Sequence, residues 1–182
     1  MKIKIGVMGS ADDALPEGAN QKLREKAEEL GLAIGKRDAV LLSGATTGVV
    51  YITGQAAHRA GALHIGVSPA VNEQEHVEDY DLPTDACDAI IYTGFGLKGR
   101  NVVLVRSCDI VVFIAGSMGA LNEFTIAYDE GKVIGCLTQT GGVADEVARL
   151  VMTFPKATRA RIFHDDSPAR LIDACIAAIA GD

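Results

Sequence analysis

The most restrictive feature of this chain is a set of strand-length runs that stay apolar where a half-exposed strand would alternate. AVLLS (39–43), DIVVFIA (109–115) and KVIGCLT (132–138) are the clearest. A strand with one face in water alternates apolar and polar residues, whereas a run apolar throughout has to be covered on both faces. That condition is met by a parallel sheet lying between two helical layers. KIKIGVM (2–8), LHIGVS (63–68), DAIIYT (88–93) and RIFH (161–164) bring the expected strands to seven.

Helical spacing fills the intervals. From about Asn20 to Arg37, Leu23, Ala27, Leu30 and Ile34 recur at three- and four-residue spacing with charges between them. Further helices are expected up to about Arg59 and over 99–107, 119–130, 142–153 and 168–180. The sequence therefore predicts an α/β fold: a Rossmann-like, doubly wound sheet of about seven mostly parallel strands with helices on both faces, a single domain over 1–182. Crossovers between parallel strands should be right-handed.

Composition narrows the partners. A formal net charge of −7, no tryptophan and 5% aromatic residues argue against a nucleic-acid partner, which needs a basic face or stacking rings. No apolar run reaches the roughly 18–20 residues of a membrane span. MKIKIGVMGS enters a strand directly, so neither a membrane partner nor a leader is expected. Cys87, Cys108, Cys136 and Cys175 lie far apart and read as free, mostly buried thiols of a cytoplasmic protein.

Ligands of open parallel sheets bind outside the carboxyl ends of the strands, near the point where strand order reverses. Four such ends carry small or glycine residues: Gly9-Ser10, opening GSADDALPEGAN (9–20); Ser43-Gly44-Ala45-Thr46-Thr47-Gly48; Gly94-Phe95-Gly96-Leu97-Lys98-Gly99; and Gly116-Ser117-Met118-Gly119. Glycine admits close backbone approach, and the helix N-termini that follow present unpaired N–H groups to an anion. Ser10, Thr46, Thr47 and Ser117 add hydroxyls. Each turn alone is equally explained by tight strand-to-helix geometry; four on one edge point to a phosphate or nucleotide site.

Other chemistries fit less well. Gly94-x-Gly96-x-x-Gly99 matches a dinucleotide fingerprint, but the acid expected about 20 residues on is absent. No turn ends in the Gly-Lys-Ser/Thr of a phosphate-binding loop, and Gly116-Ser117-Met118-Gly119 is not a nucleophile elbow. His58, His64, His76 and His164 show no metal spacing and are expected to be structural or exposed. The stretch 72–88 carries seven acids and no Lys or Arg. It reads as a solvated loop or a lid, with a metal site the weaker alternative because calcium-loop spacing is missing.

Gly99-Arg100-Asn101, then a strand, then Ala115-Gly116-Ser117-Met118-Gly119-Ala120-Leu121-Asn122-Glu123 resembles the SLOG superfamily. That superfamily includes the LOG phosphoribohydrolases, long mislabelled lysine decarboxylases, and the molybdenum cofactor carrier proteins. The likeness runs from Gly9-Ser10 to about residue 138. It implies that Arg100 and Glu123 match the pair with which LOG enzymes cleave the N-glycosidic bond of a nucleoside 5′-monophosphate. In that chemistry an ionised carboxylate in the first turn of a helix, kept charged by the helix dipole, would stabilise positive charge on the ribose. The alternatives are a helix-capping role for Glu123, although Ala120 replaces the Ser or Thr of a capping box, and a surface salt bridge for Arg100.

The departures from the LOG pattern favour binding over hydrolysis. Ala115-Gly116-Ser117 stands for Pro-Gly-Gly, Ala120 for the motif threonine, and Asn101 for a common lysine, while 99–109 looks more like the carrier branch. Pyridoxal chemistry lacks support, since Lys98 alone lies at the right edge. The expected function is therefore binding of a phosphorylated small molecule, a nucleotide or a molybdenum cofactor. Its site would comprise Gly9, Ser10, Gly44, Thr46, Thr47, Gly96, Gly99, Asn101, Gly116, Ser117, Met118, Gly119 and Ala120, with Arg100 and Glu123 catalytic in the LOG-type alternative. No metal is assigned. A homo-oligomer, dimer or tetramer, is expected through the apolar helices 121–128 and 171–179.

Overall fold

The apolar runs form one sheet, and the helical stripes cover it. The computed structural model describes residues 1–11 and 20–181, so most of the GSADDALPEGAN turn lies outside the described residues. The elements are β1 (Lys4–Gly9), α1 (Asn20–Gly35), β2 (Val40–Ser43), α2 (Gly48–Arg59), β3 (Leu63–Ser68), β4 (Ala89–Tyr92), α3 (Gly96–Ser107), β5 (Ile110–Ile114), α4 (Met118–Asp129), β6 (Val133–Leu137), α5 (Gly142–Thr153), β7 (Arg161–Asp165) and α6 (Pro168–Ala180). The sheet has seven strands in the order β4-β3-β2-β1-β5-β6-β7. Every pairing is parallel, where the sequence suggested mostly parallel.

Two cores follow from the two faces of the sheet. On one, Leu23, Leu30 and Ile34 of α1, Val49 and Val50 of α2 and Leu171 and Ile172 of α6 pack over Ile5, Leu41, Ile110 and Val112. On the other, Leu104 and Val105 of α3, Phe124 of α4 and Val147 of α5 pack over Met8, Leu42, Phe113 and Ile134. β5 and β6 are buried along their whole length, which explains their unalternated sequences. The edge strand β4 leaves Ile91 about half exposed.

Strand order reverses between β1 and β5, whose neighbouring carboxyl ends open the crevice where ligands of such sheets bind. The crevice is cross-tied: Ser10 Oγ accepts the Gly116 N–H at 2.9 Å, and Thr140 Oγ1 accepts the Ala115 N–H at 2.9 Å. Ala45 and Ala115, at the ends of β2 and β5, hold left-handed backbone at φ 51° and 52°. That conformation is costly for a residue with a Cβ and marks the two turns that flank the crevice.

The acidic stretch 72–88 is more ordered than a solvated loop. It contains one π-helical turn, Glu75–Asp79, whose His76 is wholly buried. The Ser68 hydroxyl meets His76 Nδ1 at 2.8 Å and His76 Nε2 donates to the Pro83 carbonyl at 3.2 Å. A second pair repeats the device: Ser43 Oγ lies 2.8 Å from His64 Nε2, and His64 Nδ1 bonds the Ala86 carbonyl. Both rings therefore bridge the loop to serines at strand ends, while most of the acids face water.

Candidate functional site

α3 and α4 each bury a stripe at three- and four-residue spacing, and the stripes contain residues of the wrong polarity, two in α3 and one in α4. In α3 the buried positions are Arg100, Asn101, Leu104 and Val105. In α4 they are Ala120, Glu123, Phe124 and Ala127. Leu104, Val105, Phe124 and Ala127 fix the rotation of their helices, and that rotation carries Arg100, Asn101 and Glu123 inward one turn nearer the N-termini. Arg100 is 5% exposed and Glu123 8%.

They meet in a cavity of about 240 Å³ at the crevice. Its lining comes from β1 and its following turn (Val7, Met8, Gly9, Ala11), the β2–α2 turn (Gly44, Thr46, with Val50), α3 (Leu97, Lys98, Arg100, Asn101) and α4 (Ser117, Gly119, Ala120, Glu123). Thr47, Phe95 and Ser117, at the starts of α2, α3 and α4, make no side-chain capping bond. Three helices without a side-chain cap thus begin around the cavity, each presenting the positive end of its dipole, while the Val49 N–H is taken by the Ser10 carbonyl and the Gly96 N–H by the Pro69 carbonyl.

The guanidinium and the carboxylate are paired loosely. Arg100 Nη1 and Glu123 Oε1 are 3.9 Å apart, beyond hydrogen-bonding distance. Arg100 Nε is buried with no partner. Oriented to suit its surroundings, the Asn101 amide donates to the Leu97 carbonyl at 2.9 Å and to Glu123 Oε1 at 3.1 Å. Gly44 makes room for the arginine: a Cβ there would lie 2.8 Å from Arg100 Cζ and 2.9 Å from Nη2.

Burial governs the charges. It pushes the Glu123 carboxyl up to about 7, against the pull of Arg100 and Lys98 toward the ionised form. Burial likewise lowers the Arg100 pKa, opposed by Glu123. One expectation is corrected and one alternative falls. No acid lies in the first turn of α4; Glu123 occupies the second, where the dipole has largely faded and desolvation dominates. Arg100 is also no surface ion pair, since its guanidinium is inside.

Of the residues singled out from sequence, Gly9, Gly44, Thr46, Asn101, Ser117, Gly119, Ala120, Arg100 and Glu123 line the cavity. Ser10, Thr47, Gly96, Gly99, Gly116 and Met118 do not. The Ser10 hydroxyl holds the Gly116 N–H, which removes that amide from any ligand. Gly116, at φ 97°, instead packs against Ala120, and its carbonyl accepts from Val143 at 2.9 Å. Gly99 is exposed and Met118 is 75% exposed. Lys98, not among the expected binding residues, brings Nζ over Gly119, 3.6 Å from where a Cβ would stand. Its signal was position: two residues before Arg100, at the start of a helix that follows a glycine turn. Among the described residues no cluster of His, Cys, Asp or Glu is arranged to hold a metal ion.

The sequence matches the profile of the SLOG cluster4 family over residues 2–172. An uncharacterized protein of Archaeoglobus fulgidus is 28% identical over 135 residues, 74% of this chain and 80% of that one. The molybdenum cofactor binding protein of Rippkaea orientalis superposes with a TM-score of 0.78 at 28% identity, covering 98% of each chain. The molybdenum cofactor carrier protein of Chlamydomonas reinhardtii gives 0.75 at 24% identity over the full length of both, a likeness of fold.

Proposed function

The chain belongs to the SLOG cluster4 family, and we propose that it binds a phosphorylated small molecule, a molybdenum cofactor or a nucleotide, in the cavity between β1, α2, α3 and α4. The observation that carries this is Arg100: a permanently charged guanidinium, 5% exposed, with its Nε unpartnered. A buried charge without hydrogen bonds is costly, and an oxyanion is the ligand that would complete it with a planar fork of N–H bonds. The uncapped N-termini of α2, α3 and α4 favour the same charge. The Rippkaea orientalis protein, similar to this chain over nearly its whole length, is a molybdenum cofactor binding protein, which supports a cofactor of that kind as the ligand.

The anion would enter past Lys98 and sit on Arg100, with Thr46 and Ser117 supplying hydroxyl donors. A net charge of −7 favours a small-molecule partner over a nucleic acid, and no helix among the described residues is long and apolar enough to cross a membrane. We place its work in the cytoplasm. Isothermal titration and thermal shift with molybdenum cofactor, AMP, pyrophosphate and sulfate provide the test. At least one should bind and stabilise the wild type, and Arg100→Met, similar in length but uncharged, should lose that response. Absence of binding by all four would refute the proposal.

The juxtaposition of Glu123 with Arg100 favours one second reading, hydrolysis of a nucleoside 5′-monophosphate at its N-glycosidic bond. A carboxyl near 7 is suited to donating a proton to a departing base. Release of free adenine from AMP, abolished in Glu123→Gln, would establish it; an inactive wild type excludes it.

A further inference from the structure

Resting on this anion-binding reading, a further property follows from how little space separates the two charged groups. An oxyanion bonded to Arg100 Nη1 comes close to Glu123 as well, because Oε1 is only 3.9 Å from that nitrogen. Two negative groups this close, one of them on a buried side chain, cannot both remain ionised. We infer that the site takes up its anion together with one proton, held on Glu123, so that the bound oxyanion accepts hydrogen bonds from Arg100 on one side and from the Glu123 carboxyl on the other.

The surroundings permit both states of Glu123. From α3 it faces Lys98 and Arg100, both cationic, which favour the carboxylate while the site is empty. At the end of α3 the Cys108 thiol is pushed up to about 12 and stays neutral. β1 contributes Val7, Met8 and Gly9 to the lining, none of them charged. The Asn101 amide bonds Oε1, leaving Oε2 to carry the proton. Arrival of a dianion engages both cations and adds a negative charge, and each change favours protonation. An O–H bonded to an oxyanion then replaces a like-charge contact. The specificity that results is for oxyanions that accept hydrogen bonds.

Sulfate is the probe, since its charge is constant from pH 5.5 to 9. Titration calorimetry in two buffers of different ionisation enthalpy counts the protons absorbed. Above pH 7 the uptake is expected to approach one proton per sulfate, with affinity falling about tenfold per pH unit. In Glu123→Gln, affinity should vary little between pH 6 and 9 and no proton should be absorbed; the buffer pair gives the same information on the wild type alone should that variant not fold. Sulfate binding with unchanged affinity across this range and no proton uptake overturns the inference and leaves anion binding standing. If molybdenum cofactor, sulfate, pyrophosphate and AMP all fail to bind at any pH, the functional proposal falls and this inference with it.

Discussion

At the scale of single residues, the site is defined as much by an atom that is missing as by those present. The position of Gly44 leaves room for the Arg100 guanidinium, so the glycine serves the arginine where the sequence suggested it served a phosphate. Gly44→Ala is therefore expected to expel or rotate the guanidinium and weaken anion binding at least tenfold. Far-ultraviolet circular dichroism should stay unchanged, because the position needs no left-handed backbone. Unaltered affinity would show that Arg100 is not the anchor. Glu123 gives a second expectation, about stability. Its carboxyl titrates near 4.5 in an unfolded chain and at about 7 in the folded protein. Between those values the folded state holds a proton that the unfolded state has released, so stability falls as pH rises through the window, by on the order of 3 kcal/mol at most. Glu123→Gln lacks this dependence. Its melting temperature relative to wild type should climb between pH 5 and pH 8, by about 2–4 °C for each kcal/mol; a constant difference would refute the assignment.

Among the elements, the acidic stretch shows how a local reading falls short of the tertiary one. Seven acids without a Lys or Arg read as a solvated loop, yet His76 within it is buried and bonded to Ser68 and Pro83. His76→Ala would leave the Ser68 hydroxyl without that partner and cost about 1–3 kcal/mol. Amide exchange should accelerate over 72–88 while β5 and β6 stay protected. Uniform exchange across the chain would mean that the loop is not separately latched. The strands and helices were legible because burial on two faces and on one stripe are periodic signals. The partner of a lone histidine is set by residues on another strand and leaves no such trace. The site was half legible for a related reason. Arg100, Asn101 and Glu123 were reached through the resemblance of 99–123 to the SLOG superfamily, and the structure adds that they sit on otherwise apolar buried stripes. By contrast, whether Gly116 or Lys98 faces the cavity depends on cross-ties such as Ser10 to Gly116, which join residues on separate turns.

For the molecule as a whole, the expectation of self-assembly rested on two apolar helical segments, and the structure separates them. α6 turns Leu171, Ile172 and Cys175 wholly into the core over β6 and against α1, so its apolar side is already covered. α4 differs: between its C-terminal half and α5 lies a groove of about 420 Å³ lined by Leu121, Phe124, Tyr128, Leu150, Val151 and Phe154. Phe154 is 71% exposed and the nearby Met152 76%. A patch holding both a groove and a protruding aromatic ring is suited to a two-fold contact, in which each copy offers the ring and receives it. Light scattering is expected to give at least twice the 19.1 kDa of one chain, and Phe154→Asp to return that single-chain mass. Phe154 follows the end of α5 and is not among the residues lining the anion cavity, so the dissociated variant should keep the sulfate affinity of the wild type. A wild-type protein of single-chain mass would remove this face as the interface; a monomeric variant that also lost sulfate would show that a second copy completes the cavity.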